Sequence, residues 1–157
     1  MSADSRWMQL AIDTARHGIY EGQTPFGAAI VRDGQLVAAA HNVVWLTMDI
    51  TAHAEVHAIR QACSQLHSID LSGCTIYSTC EPCPMCFSAC HWARLDRIVY
   101  GASIADAQKA GFSELTVSNE QLKRLGGSGI EIVAGFMKEE NVKLFEEWMK
   151  SPKRKGY

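Results

Sequence analysis

The chain has 157 residues, of which 47% are hydrophobic and 20% charged, and a formal net charge of −2. That length and mix predict one globular domain over 1–157 with a core of its own. They argue against a membrane protein, since no apolar run approaches the ~18 residues a span requires, and against a nucleic-acid partner, whose binders carry basic surfaces. The N-terminus has no apolar signal core, so the expected location is the cytoplasm, where the six cysteines stay reduced and read as ligands or buried thiols.

Trp7, Met8, Ala11, Ala15 and Ile19 recur at helical spacing and predict a first helix over about 4–20. Phe26–Val31 and Leu36–Ala40 are apolar runs around Asp33-Gly34, a hairpin turn signal. A helix is expected from Thr51, read as its N-cap, to about Leu66. Cys74–Ser78 reads as a short buried strand. Pro82 and Pro84 fit only the first turn of a helix, so another helix should open there. Arg97–Ala102 reads as a strand, and Ile130–Ala134 as a last strand after Gly126-Gly127-Ser128-Gly129. Val142, Phe145, Trp148 and Met149 form one face of a C-terminal helix. The order α-β-β-α-β-α-β-α-β-α implies a layered α/β domain with a mixed sheet.

Two short strings carry the chemistry: His53-Ala54-Glu55 and Pro82-Cys83-Pro84-Met85-Cys86. One imidazole and two thiolates are three zinc ligands, and three protein ligands leave a fourth position open, as in a catalytic zinc site. Cys83 and Cys86, three apart, share a helix face. Zinc there lowers the pKa of a bound water toward ~7, and Glu55 is suited to relay protons provided it is not a ligand. Two other metal readings are weaker. Cys80, Cys83, Cys86 and Cys90 have ferredoxin-cluster spacing, but His91 stands where Pro normally ends that run and no second run exists. His53 and His57 give H-x-E-x-H, not the metalloprotease H-E-x-x-H, so His57 reads as packing. Cys63, Cys74, Cys80 and Cys90 read as structural.

The H-x-E and P-C-x-x-C strings, with Thr24-Pro25-Phe26-Gly27-Ala28, Asn42, Thr51-Ala52 and Cys80-Glu81, resemble the cytidine and deoxycytidylate deaminase superfamily along nearly the whole chain. The resemblance implies a three-layer α/β/α cytidine-deaminase-like fold with a mixed five-stranded sheet. It also implies one Zn2+ per chain with a catalytic water. Within the superfamily the chain is most similar to bacterial guanine deaminases, which would make it a hydrolase of purine catabolism. The alternatives are a tRNA adenosine deaminase, a deaminase of guanosine or an aminotriazine, and, from a different class, a zinc-stabilised binding module. The last has no use for Glu55.

By that resemblance His53, Cys83 and Cys86 hold the metal, and Glu55 and Glu114 are the catalytic acids. Phe26, Asn42, Ala54, Trp92 and Tyr157 contact the base: Phe26 by stacking, Asn42 through a donor-and-acceptor edge, and the terminal Tyr157 as a lid. The related enzymes are homodimers that exchange C-terminal segments, here about 138–157, so Tyr157 is expected to close either its own pocket or that of a partner.

Overall fold

A computed structural model describes residues 1–157. Five strands form one sheet in the order β2-β1-β3-β4-β5: β1 Gly27–Arg32, β2 Gln35–His41, β3 Cys74–Cys80, β4 Arg97–Ala102 and β5 Glu131–Val133. β1 is antiparallel to β2 and β3, whereas β3, β4 and β5 run parallel. The expected mixed five-stranded sheet is therefore observed. The hairpin turns at Asp33-Gly34, both with positive φ (51° and 69°), as a tight two-residue hairpin loop requires.

Both faces of the sheet are covered, and the strands alternate accordingly. Ala29, Val31, Tyr77 and Val99 point into one core with α1 (Ala3–Tyr20) and α7 (Lys138–Met149). Ala28, Ile30, Ile76 and Ile98 point into the other, with α3 (Ala54–Leu66) and α4 (Pro84–Trp92). Met8, Ile12, Ile30, Ile76, Ile98 and Leu144 are almost wholly buried, each stabilising the fold by about 1.5–3 kcal/mol. Gly27 lets α1 lie directly on β1, because a β-carbon there would overlap the Ala11 carbonyl oxygen.

Three local features differ from the sequence reading. The helix expected to be capped by Thr51 starts two residues later and is capped by His53. Thr51 instead bonds Asp49 Oδ1 through its N–H (2.9 Å) and its hydroxyl (2.6 Å), forming a turn of its own. A four-residue helix, α2 (Val44–Thr47), follows β2, and two short helices, α5 (Ile104–Lys109) and α6 (Asn119–Gly126), replace the single one expected between β4 and β5. Each of the latter pair has its own capping box, at Ser103 and Ser118, a pattern with a carboxylate or amide three residues after the serine. No helix is long and apolar enough to cross a membrane.

Candidate active site

The N-terminal end of β1 and the C-terminal end of β3 lie side by side at one end of the strands, and α3 and α4 begin there. His53 is the N-cap of α3 and Cys83 the N-cap of α4, with nearly identical extended backbones (φ −62°, ψ 156° and φ −62°, ψ 166°). Neither side chain caps its own helix, so both are free to ligate. Pro84 follows Cys83 at the first helical position, where its missing N–H is no loss and its fixed φ suits the helix.

His53 Nδ1 lies 3.6 Å from Cys83 Sγ and 3.5 Å from Cys86 Sγ. A zinc ion bonded to nitrogen at ~2.05 Å and sulfur at ~2.3 Å with tetrahedral angles would set those atoms about 3.6 Å apart. The donor set and its spacing therefore fit zinc. Cys80 and Cys90 do not join the cluster: the Cys80 thiol donates to the Ser103 carbonyl at 3.6 Å, and Cys90 is wholly buried in the core. That removes the iron–sulfur reading. His57 lies one turn along α3 beside Gln61, at 3.3 Å, and takes no part in the cluster.

The ligands are electrostatically prepared. A hydrogen bond from Cys86 pulls the Cys83 thiol down to about 4 against the effect of burial, with further help from His53. Cys86 is pushed up by that same contact and by burial. Helix N-termini favour the negative charge of a thiolate.

Two carboxylates flank the cluster. Glu55 is buried, with Oε1 3.1 Å from the Ser78 hydroxyl and Oε2 3.5 Å from Cys86 Sγ. Burial, then the Cys83 thiolate, push its carboxyl above the ordinary range. Glu114 lies in the irregular stretch between α5 and α6 and is pushed up to about 7 by burial and then by the Cys83 thiolate.

These groups line a cavity of about 300 Å³ whose apolar wall includes Phe26, Ile50, Met85, Phe112 and Leu115. Phe26 meets Phe112 edge-on at 5.0 Å between ring centroids. Tyr157 closes the cavity of its own chain, its ring 5.8 Å from that of His53 and its hydroxyl accepting from Asn42 Nδ2 at 2.7 Å. The basic tail that delivers it rests on aromatic rings: Lys153 over Tyr20, Arg154 over Trp148 and Lys155 over Trp45. In this structure α7 packs on α1 and β4 of its own chain.

Three expected base contacts are placed differently. Trp92 is 82% exposed at the end of α4 and does not line the cavity. It stands two residues beyond the inward-facing Cys90, and two residues turn a helix by about 200°, so it faces solvent. Ala54 is wholly buried and its methyl packs in the core behind α3; only its backbone, at the first helical position, is oriented for polar contact. Asn42 is also wholly buried and does not itself line the cavity, its Oδ1 accepting from Val44 N at 3.0 Å and its Nδ2 reaching Tyr157. Sequence reasoning gave no task to Ser78 or Glu81. Only Glu81, adjacent to Pro82-Cys83, carried a signal, as an acid beside a metal turn.

The profile of the cytidine and deoxycytidylate deaminase zinc-binding region matches residues 1–102. The chain is 38% identical over 152 residues to a guanine deaminase of Bacillus subtilis, covering 96% of this chain and 97% of that one. It is 36% identical over 140 residues to a tRNA-specific adenosine deaminase of the same organism, covering 89% of this chain and 84% of that one. Among solved structures, a guanine deaminase from Nitrosomonas europaea superposes with a TM-score of 0.84 at 29% identity, over 90% of this chain and 82% of that one. The matching profile, the metal triad and the superposed fold agree: this chain belongs to the zinc-binding cytidine and deoxycytidylate deaminase family.

Proposed function

We propose that the protein is a zinc-dependent aminohydrolase of a free purine base, converting guanine and water to xanthine and ammonia. The observation that carries this reading is the compact pocket, a cavity of about 300 Å³ with aromatic walls, two inward carboxylates and Tyr157 along one side. Small enclosed pockets with a few convergent polar groups suit free ligands, whereas an enzyme of a flipped-out nucleotide needs an open rim and a cationic track for the backbone. Here the basic residues of the tail lie on aromatic rings.

His53, Cys83 and Cys86 would hold the zinc, which when bound would supply an acidified water. Glu55 would accept a proton from that water through Oε2, the oxygen facing Cys86, and deliver it to a ring nitrogen beside the amine-bearing carbon. That carbon then takes the water oxygen and loses its bond to the amine. Glu114, raised toward neutrality, protonates the departing nitrogen, and the proton left on the added oxygen returns to the carboxyl pair as that oxygen becomes the carbonyl, so two carboxyls with different environments divide the proton work. Phe26 and Phe112 stack on the base, and Tyr157 excludes bulk water.

The relative that edits tRNA supports a second reading, adenosine deamination in an anticodon loop. The deciding experiment is ammonia release by the zinc-loaded protein from guanine, guanosine, an aminotriazine and a tRNA anticodon stem-loop. Release from guanine alone is expected; release from the stem-loop alone would overturn the assignment. A cytoplasmic homodimer is proposed with it, consistent with six free cysteines and checked by light scattering.

A further inference from the structure

Three acids line the cavity, and the chemistry above leaves Glu81 without a task. Glu81 is buried, immediately before Pro82-Cys83, and its N–H donates to the Ala102 carbonyl at 2.7 Å. Its two carboxylate oxygens are taken up by two separate backbone amides: Oε2 accepts from Ile104 N and Oε1 from Asn119 N, both at 3.0 Å. Asn119 bonds back, its Nδ2 donating to the Pro82 carbonyl at 2.7 Å. Ile104 and Asn119 are the first residues of α5 and α6, where a backbone N–H has no acceptor within the helix.

The two amides bracket the segment that carries Phe112, Ser113, Glu114 and Leu115 to the cavity wall. Residues 112–118 have no regular secondary structure, so no strand ladder or helix sets where Glu114 stands. A buried carboxylate without a cationic partner is tolerated only when its lone pairs are filled. Two amides at helix starts, where the dipoles are positive, fill them here. Glutamine would offer one acceptor and turn an NH2 group against the second amide. Aspartate would be one carbon too short to reach both.

We propose that Glu81 is a positioning residue: its single carboxylate pins both ends of the 104–119 strap to the metal turn and so fixes Glu114 relative to Cys83. The inference rests on the role given to Glu114 above. Its test uses the zinc-loaded full chain as wild type, Glu81→Gln, Glu114→Gln and the double variant, read by ammonia release from guanine over about pH 5–9, zinc content and backbone amide exchange. Glu81→Gln should keep its zinc, raise exchange of peptides within 105–118 on the order of 10-fold and leave β3 and α4 unchanged. Its kcat should fall by roughly 10–100-fold with little change in KM, as expected when a catalytic group is displaced by about 1 Å. On the Glu114→Gln background the same change should have almost no further effect, since the two act through one group. Unchanged exchange over 105–118, or an equal loss in both backgrounds, would overturn the proposal. Should Glu81→Gln not fold, Asn119→Ala breaks the strap's tie to Pro82 and should loosen the same peptides; wild-type protection there would likewise overturn it. If guanine is not a substrate, the proposed function fails alone, and amide exchange still reads the strap.

Discussion

The Asn42 amide donates to the Tyr157 hydroxyl at 2.7 Å, joining residues 115 positions apart behind the pocket wall. Deleting Tyr157 should lower kcat/KM for guanine by roughly 10–100-fold, because water enters and one wall is lost, while zinc content and far-ultraviolet dichroism stay unchanged. Tyr157→Phe removes only the hydrogen bond, worth about 1 kcal/mol, and should cost roughly fivefold. Steady-state kinetics equal to wild type in the deletion would reject the lid.

Glu55→Gln should retain one zinc per chain and lose at least ~10³-fold in turnover, near the upper range for a positioned proton carrier. Metal analysis beside an ammonia assay separates this outcome from metal loss.

Glu114 supplies a pH test. Its carboxyl is pushed up to about 7, by burial first and the Cys83 thiolate second. Zinc neutralises much of the thiolate charge, so the loaded enzyme keeps mainly the burial part. Glu114 must hold a proton to donate it, so activity should fall as pH rises through a value between the ordinary carboxylate range and 7. That limb should vanish in Glu114→Gln, whose residual rate is flat there; an unaltered profile would remove Glu114 from the proton path.

Asp4 ties α1 to the sheet, meeting Arg97 through two bonds of 3.0 Å and the Tyr77 hydroxyl at 2.6 Å. The Arg97 bonds hold the Asp4 carboxyl below its usual value. A depressed carboxylate stabilises the fold above its unfolded pKa and loses that contribution as pH falls through the folded one. Asp4→Asn should therefore cost about 1–2 kcal/mol at neutral pH, allowing for the quarter of each side chain left in water. The difference should close in strong acid, as followed by urea unfolding at several pH values.

Gly27→Ala drives a methyl group into the backbone of α1. Overpacking of this kind costs about 1–3 kcal/mol, and because Phe26 adjoins it, KM for guanine should rise as well. A melting scan and a KM measurement on the same sample test both effects.

The metal ligands could be read from the chain because ligand chemistry is local: two short strings name all three. The hairpin at Asp33-Gly34 and α1 were legible for the same reason, since turn residues and helical periodicity act over a few positions. The start of α3 was misread because Thr51 has the chemistry of a cap, and only the neighbouring Asp49 diverts it. Trp92 was carried over by resemblance alone, and the helix turns it to the face opposite Cys90, out of the cavity. Glu81 was read as part of the motif but given no task, because its partners, Ile104 and Asn119, lie 23 and 38 positions away. No pattern in the sequence announces that pairing.

β1 leaves the cavity beside Phe26 and ends at Arg32, and its hairpin tip follows at Asp33-Gly34. Six strand residues span about 20 Å, so the tip stands a full strand length from the metal, and Gly34 has open space around it. Exposed tips of this kind accept insertions. A short glycine-flanked insertion there could anchor the protein to an electrode with its pocket facing the sample, turning released ammonia into a local electrical signal.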